Sequence, residues 1–135
     1  MRGSLAMMSR LGAGLAVGVL AVLVVARPAV AAADDGAAGQ TLFKTKCAAC
    51  HSVDANRVGP RMQGVVGRPV ASAPGYSYSP ALKKLRGTWT PARIDQFLSS
   101  TQKMAPGSKM YLQLADPNQR RLIVGYLQSV STAKK

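Results

Sequence analysis

The run Cys47-Ala48-Ala49-Cys50-His51 constrains this chain most, because it contains the only two cysteines and the only histidine of the 135 residues. A structural zinc site needs four ligands, usually cysteine or histidine, and these three side chains are too few. A thioredoxin-like redox pair would place its Cys-x-x-Cys within a βαβ pattern, but the sequence shows no alternating strand pattern. A simple disulfide would leave the adjacent histidine without a role.

The spacing within this run is that of covalent haem attachment. Two thiols three positions apart on a turn can each add to one vinyl group of a haem and form thioethers, while the adjacent imidazole is held under the iron. The small side chains of Ala48 and Ala49 let the porphyrin lie close to the backbone. We therefore predict one covalent haem c on Cys47 and Cys50, with His51 as an axial iron ligand.

The second axial ligand has to come from another residue type, because the chain has no further histidine. From the residues alone the candidates are a methionine, a lysine or water. Methionine in apolar surroundings usually serves as core packing, and this is our interpretation of Met62 and Met104. Met110 differs because it ends the segment Pro106-Gly107-Ser108-Lys109-Met110. The Pro-Gly turn stops helical continuation there and can direct the next side chain inward.

The first third of the chain has the features of an export signal. Arg2 and Arg10 lie on either side of a short polar start, and Leu11–Ala26 is an almost unbroken apolar run. Small residues follow, so cleavage after Ala31 or after Ala33 fits the pattern, and we prefer Ala33.

We accordingly expect residues 1–33 to be a cleaved secretory signal peptide and residues 34–135 to be one monohaem domain in the periplasm. The alternative is that the signal is retained as an anchor, although the apolar run is slightly short for a bilayer span of ~20 residues. If the signal is cleaved, we expect no stable membrane insertion.

The charge of the expected mature domain limits its partners. Three of the 18 basic residues lie in residues 1–33, which leaves 15 against all five acidic residues, a net charge of about +10. Such an excess indicates an acidic protein partner, an anionic membrane surface or nucleic acid. Export and the scattered placement of the basic residues argue against nucleic acid, so we expect no nucleic-acid partner.

Capping residues and apolar spacing predict three helices and a short fourth. The expected positions are about Gly36 to Ala49, Pro80 to before Gly87, a helix starting at Pro91, and one starting at Asp116-Pro117. The Gly/Pro-rich segment Val53 to Tyr78 is too long for a loop in a compact domain unless it wraps something. A mature chain of about 102 residues with few aromatics also needs a bulky group to complete its core. We predict an all-α fold with long loops around one haem.

These motifs together resemble the class I, mitochondrial-type c-type cytochromes, over Gly39 to Leu127. The matching positions, in order, are Gly39, Phe43, the Cys47–His51 run, Gly59-Pro60, Gly67-Arg68, Tyr78-Ser79-Pro80-Ala81, Trp89, Pro106 to Met110, Arg120 and Tyr126-Leu127. Three features depart from the family pattern: the loop from His51 to Gly59 is short, Phe97 stands where a Tyr is frequent, and Ser108 replaces a Thr. These departures affect tuning of the reduction potential.

The resemblance implies the cytochrome c fold and a role for each site residue. Met110 would be the sixth iron ligand, and the carbonyl of Pro60 would accept the imidazole N–H of His51. Tyr78 and Trp89 would donate hydrogen bonds to a haem propionate, and Arg68 would offset its charge. Gly39 and Tyr126 would lie where the first and last helices cross.

The resemblance also implies an electron carrier and not an enzyme, because six-coordinate iron has no open position for a substrate. One alternative is a haem enzyme or gas sensor with a weak or absent sixth ligand. A second is a cytochrome subunit of a dehydrogenase or oxidase, tethered by residues 11–26.

The expected partners are respiratory or photosynthetic redox proteins with an acidic face. A membrane cytochrome bc complex, a haem–copper oxidase or a periplasmic dehydrogenase would fit this description. By resemblance, the docking face would be the haem edge, ringed by Lys46, Lys103 and Lys109. A monomer is expected.

Overall fold

The computed structural model of the protein describes residues 30–133, with side chains from residue 35 onward. Five helices lie in this range: α1 (Val30–Lys46), α2 (Pro80–Lys84), α3 (Pro91–Ser99), α4 (Thr101–Met104) and α5 (Pro117–Thr132). No strand forms among these residues, and one isolated bridge pairs Pro69 with Thr88. The predicted all-α class with long loops is confirmed. The predicted signal peptide lies outside the described residues except for the backbone of residues 30–33.

Three helices begin with the same device, a capping side chain followed by proline. The hydroxyls of Ser79 and Thr90 and the carboxylate of Asp116 each accept a hydrogen bond from an amide N–H in the first turn. The next residue is proline, whose missing N–H costs nothing at this position and whose φ already suits a helix. These starts are where the sequence predicted them.

Two helices differ from the prediction. The first begins at Val30, where alanines favour helix, and it ends at Lys46, short of the predicted end at Ala49. It ends because the N–H groups of Cys47 and Ala48 both donate to the carbonyl of Phe43, which closes the last turn. The second ends at Lys84, since Leu85 is extended with φ −68° and ψ 130°.

The short helix α4 was not predicted. Ser100, with φ −167°, is extended and separates α4 from α3, and its hydroxyl then accepts a hydrogen bond from the N–H of Lys103. A four-residue helix carries too little apolar spacing to be visible in a sequence. This helix nevertheless matters, because it lies beside the segment that carries Met110.

The helices α1 and α5 cross at Gly39, as the resemblance implied. A Cβ at this position would collide with the backbone carbonyl of Leu122 and lie 3.1 Å from the Cβ of Tyr126. The rings of Phe43 and Tyr126 pack beside the crossing, with centroids 5.3 Å apart. This crossing fixes the end of α1 relative to α5, and therefore fixes where the cysteine-histidine run begins.

The long connection between α1 and α2 contains no helix or strand, and side chains tie its distant parts together. Asn56 donates to the carbonyl of Pro74 at 2.8 Å, and Tyr76 donates to the carbonyl of Val58 at 2.7 Å. The hydroxyl of Ser131 on α5 accepts the N–H of Val66. These bonds close the connection over one side of the core.

The apolar core lies between α1, α3, α5 and this connection. Its buried members are Phe43, Val65, Trp89, Ile94, Phe97, Leu98, Ala105, Leu114, Ile123, Val124 and Leu127. Over the stretch that the structure describes, no helix has both the length and the apolarity needed to cross a membrane.

Candidate haem site

A cavity of about 340 Å³ opens in the middle of this core. All eight residues that the sequence singled out line it: Cys47, Cys50, His51, Pro60, Arg68, Tyr78, Trp89 and Met110. The volume falls within the range of about 300–1,000 Å³ that is typical of cofactor pockets. Most of the wall is apolar and includes Phe43, Phe97, Leu98, Leu112, Ile123 and Leu127.

The cysteine-histidine run forms one turn directly after α1. The N–H groups of Cys50 and His51 both donate to the carbonyl of Cys47, at 3.1 and 2.9 Å. The carbonyl of Cys50 in turn accepts the N–H of Gly59 at 2.7 Å, which brings the following loop back over the turn. Backbone hydrogen bonds therefore place the two thiols and the imidazole on one wall of the cavity.

The imidazole of His51 is held in one orientation. Its Nδ1 lies 2.9 Å from the carbonyl oxygen of Pro60. A carbonyl can only accept, so Nδ1 carries the proton and Nε2 of the neutral ring keeps its lone pair for a metal. Gly59 lies against the ring so closely that a Cβ there would collide with it.

Cys47 and Cys50 do not form a disulfide with each other. Burial raises the pKa of the Cys47 thiol to about 11, and the neighbouring Lys46 only partly offsets this effect. The thiol is therefore protonated at neutral pH. Redox-active cysteine pairs need a thiolate with a lowered pKa, so this environment argues against a thioredoxin-like role.

The thioether of Met110 lines the cavity together with Phe97, Leu98 and Leu112. The segment turns at Gly107, whose φ of +83° is in the left-handed region that glycine adopts at little cost. Of the other methionines, Met62 also lines the cavity, whereas Met104 packs against the core outside it. Met62 comes from the same loop as Pro60 and packs against the core cluster, as predicted for core filling.

The remaining predicted site residues supply polar groups. The guanidinium of Arg68 donates to the carbonyls of Arg61 and Gln63, and its buried Nε has no acceptor among the described residues. Burial lowers the pKa of Arg68, which is the effect expected where a cation lacks a compensating anion. The hydroxyl of Tyr78 accepts the N–H of Ala73, and its own proton is left for another acceptor. A carboxylate in the cavity would satisfy these donors.

The rim of the cavity combines charge with exposed apolar surface. Lys46 and Lys109 line it, and Lys109 Nζ donates to the carbonyl of Ser77 at 3.2 Å. Val58 and Tyr111 also line it and are 74% and 78% exposed. The third lysine that the resemblance placed at this edge, Lys103, is exposed on α4 but does not line the cavity.

Sequence reasoning missed several polar residues of the site. Ser79, which was part of the family match but was given no role at the haem, also lines the cavity. Thr101 and Gln102 bind the backbone of Met110 through their side chains. Their position eight or nine residues before Met110 offers no helical or strand spacing that would have indicated this contact.

The residues fit a haem c. Two thiols and an oriented imidazole lie on one wall, a thioether lies on another, and unsatisfied donors are available for an anionic group. Imidazole and thioether are suitable axial ligands for haem iron. No group of three or more His, Cys, Asp or Glu side chains suited to a bare metal ion is present among residues that the structure describes.

Comparisons with known proteins agree with this geometry. Residues 36–131 match the family described as Cytochrome c. The solved structure of cytochrome cH from Methylobacterium extorquens is 41% identical, with a TM-score of 0.67, and the match covers 70% of this chain and 98% of that one. Cytochrome c2 of Agrobacterium tumefaciens is 37% identical over 107 residues, which are 74% of this chain and 96% of that protein.

A third relative is longer. "Cytochrome c-type cyt cy" of Rhodobacter capsulatus is 40% identical over 98 residues, 71% of this chain, and the chain spans about half (49%) of that protein's length. The chain belongs to the cytochrome c family, as a class I c-type cytochrome: a small electron carrier with one covalently bound haem c.

Proposed function

We propose that the chain is a periplasmic carrier of single electrons whose iron is held between His51 and Met110. This proposal rests on one observation. The imidazole of His51, oriented by the Pro60 carbonyl, and the thioether of Met110 line the same cavity. Both ligands are neutral, and the thioether is soft. This pair favours iron(II) and raises the reduction potential relative to harder ligand sets.

The haem, when bound, supplies a one-electron iron(II)/iron(III) couple. The apolar wall excludes water and lowers the local dielectric, so it disfavours the extra positive charge of the oxidised state. With both axial positions taken by side chains of this chain, no position is left for a substrate. This is why we propose a carrier and not a haem enzyme or a gas sensor.

The ligand assignment is tested with methionine variants. The oxidised wild-type protein should show the weak far-red charge-transfer band of methionine-ligated haem iron. Met110→Ala should lose this band, lower the reduction potential and bind added imidazole readily. Met104→Ala is the matched control and should keep the band, because its side chain lies outside the cavity; Met62→Ala should keep it as well. Loss of the band in Met104→Ala with retention in Met110→Ala would refute the assignment.

We further propose that redox partners dock at the rim of the cavity. Lys46 and Lys109 give the rim positive charge, and Val58 and Tyr111 add exposed apolar surface to the same rim. Transient electron-transfer complexes bury less than about 1,200 Å², so long-range attraction has to supply much of the encounter rate. Suitable partners have an acidic face, such as a membrane cytochrome bc complex, a haem–copper oxidase or a periplasmic dehydrogenase.

The docking proposal is tested by ionic strength and charge reversal. The second-order rate of electron transfer with an acidic partner should fall steeply between 0.1 M and 1 M salt, as the Debye length shrinks from ~10 Å to ~3 Å. Lys46→Glu with Lys109→Glu should slow the rate at low salt and leave the haem spectrum unchanged. Lys83→Glu with Lys84→Glu, which reverses the same charge on α2, is the control. Equal slowing by both pairs would place docking elsewhere.

Lys103 provides a graded comparison within the same experiment. It is exposed on α4 but does not line the cavity. Lys103→Glu should therefore slow electron transfer less than Lys109→Glu does. A larger effect from Lys103 would move the docking surface toward α4.

The location follows from the export signal that we propose for residues 1–33. The N-terminus of the mature protein, isolated from periplasm, should be Asp34, or Ala32 if cleavage follows Ala31. An intact N-terminus in a membrane fraction would favour the tethered subunit of a dehydrogenase or oxidase instead.

A further inference from the structure

The segment that carries Met110 is held in place by the side chains of α4. The carbonyl of Met110 accepts three hydrogen bonds, from Thr101 Oγ1 at 2.7 Å, from Gln102 Nε2 at 2.9 Å and from Ser108 Oγ at 3.1 Å. One hydrogen bond satisfies a buried carbonyl, and three at one residue are unusual. All three bonds end on the main-chain carbonyl, so their role concerns the position of the backbone.

The amide of Gln102 crosses the turn that precedes Met110. Its Oε1 accepts the N–H of Gly107 at 3.0 Å, and its Nε2 lies 3.1 Å from the carbonyl oxygen of Ser108. The amide orientation is determined by these partners, because an N–H requires the oxygen and the carbonyls require the nitrogen. Both ends of the turn are thus tied to one half-buried side chain.

The hydroxyl of Thr101 fixes the other end of the segment. Its Oγ1 accepts the N–H of Leu112 at 3.0 Å while donating to the carbonyl of Met110, and the backbone N–H of Thr101 donates to the carbonyl of Leu112. Thr101 is 0% exposed, so water cannot replace these bonds. The backbone is therefore held on both sides of Tyr111.

We propose that Thr101 and Gln102 are positioning residues that hold the thioether of Met110 on the iron and set how easily an external ligand displaces it. This inference rests on the proposed role of Met110 as sixth ligand. Displacement requires the sulfur to leave the iron and the segment to move, so each bond that resists this movement lowers the population of the open form. The affinity for an external ligand falls by the same factor.

The first test is imidazole binding to the oxidised holoprotein. Gln102→Met keeps the length of the side chain and removes its hydrogen bonds. We expect it to retain the far-red band and to bind imidazole roughly tenfold more tightly than wild type. This is the factor by which loss of one buried hydrogen bond raises the population of the open form. Gln113→Met is the matched control, because Gln113 is exposed on the same segment, and it should bind imidazole as wild type does.

The second test separates the hydroxyl of Thr101 from its packing. Thr101→Val keeps the shape and removes the hydroxyl, and it should also bind imidazole roughly tenfold more tightly. Thr101→Ser keeps the hydroxyl and should bind imidazole close to the wild-type value. A general loss of packing would affect the serine variant more, because it is the one that loses a methyl group.

Two outcomes would overturn the inference, and they are distinguishable. If Met110→Ala loses the far-red band of wild type, and Gln102→Met and Thr101→Val both bind imidazole as wild type does, the positioning role is wrong while the ligand assignment stands. If wild type lacks the band, or Met110→Ala keeps it, the assignment of Met110 is wrong and the positioning role fails with it.

Discussion

The two walls of the cavity that we propose to hold the iron are built in different ways. The histidine side, residues 47–60, is fixed mainly by backbone hydrogen bonds, in which the carbonyls of Cys47 and Cys50 accept from the turn and from the returning loop. The methionine side, residues 101–112, is fixed mainly by side chains, with Thr101, Gln102 and Ser108 donating to the backbone.

The difference determines how each side can vary. A backbone hydrogen bond survives almost every substitution, and the thioether bonds proposed for the histidine side would add covalent attachment. A side-chain hydrogen bond disappears with one mutation. The histidine side should therefore respond to mutation by losing the haem or the fold, and the methionine side by changing ligand affinity while the haem stays.

The largest effect is expected from the cysteines. Cys47→Ala with Cys50→Ala should abolish covalent attachment and leave a chain that is largely unfolded without haem. A cavity of about 340 Å³ that remained unfilled would cost about 8 kcal/mol at ~24 cal/mol per Å³. This cost is comparable to the whole stability of a small domain, about 5–15 kcal/mol. Far-UV circular dichroism of the apo chain measures the loss of helix.

Acid–acetone extraction supplies the complementary measurement on the wild-type holoprotein. Covalent haem should stay with the protein, whereas the double alanine variant should release any haem that it binds. A well-folded apo chain would show that the core does not depend on haem. Haem extracted from wild type would contradict the thioether bonds.

The second effect concerns the close contact behind the histidine ring. Gly59→Ala places a Cβ against an imidazole that is already held by the Pro60 carbonyl. Neither group can move freely, so we expect the holoprotein to lose about 1–3 kcal/mol of unfolding free energy, the usual cost of overpacking. Urea denaturation measures this loss.

Gly125→Ala is the matched control for that variant. Gly125 lies on the exposed side of α5, and a Cβ there meets nothing within 4 Å. Alanine inside a helix is more stable than glycine by about 0.5–1 kcal/mol, so this variant should be stabilised. If both variants were destabilised to the same extent, the loss in Gly59→Ala could not be attributed to the contact with the His51 ring.

The third effect sharpens the contrast between the sides. In urea, the far-red band of the oxidised wild-type protein should disappear at a lower concentration than the far-UV helix signal, because the methionine side opens before the molecule unfolds. Ser108→Ala should lower the free energy of opening by about 1 kcal/mol and so lower the band midpoint further, since it removes one donor to the Met110 carbonyl. Ser99→Ala, whose hydroxyl bonds only within α3, should change neither midpoint. Coincident midpoints in all three proteins would contradict separate opening.

The same contrast explains what could be predicted from the sequence. The histidine side depends on local spacing, and the run from Cys47 to His51 therefore predicted a turn with three functional groups on one wall. Capped starts such as Ser79-Pro80 were predictable for the same reason. The methionine side depends on which side chain reaches which carbonyl after folding, and neither Thr101 nor Gln102 carries a sequence signal for that.

The lysines at the edge of the haem were predicted only in part. Resemblance placed three lysines there, and the structure puts Lys46 and Lys109 on the lining and Lys103 outside it. The family match identifies the lysine but not the direction in which its side chain points. That direction depends on α4, a short helix that begins only after Ser100 ends the preceding helix.

The smallest effect tests a contact that belongs to neither side. Asp35 on α1 and Arg121 on α5 form an exposed ion pair at 2.7 Å, and hydrogen bonding to Arg121 lowers the pKa of Asp35 below its ordinary value of 3.8. A carboxyl with a lowered folded-state pKa stabilises the fold above its unfolded pKa, and this contribution disappears as the pH falls through the folded value. Asp35→Asn should therefore lower the urea midpoint slightly at pH 7, and the difference from wild type should vanish at a pH well below 3.8. High salt should shrink this difference at pH 7, because exposed pairs are screened.

Asp54→Asn is the matched control for this variant. It removes an exposed carboxylate without a basic partner within residues 35–133, and it should leave the midpoint unchanged. Since the pair joins α1 to α5 without touching residues 47–60 or 101–112, the far-red band and imidazole affinity of Asp35→Asn should equal those of wild type. A change in either would mean that the α1–α5 crossing is coupled to the methionine side, and the two walls would then not be independent.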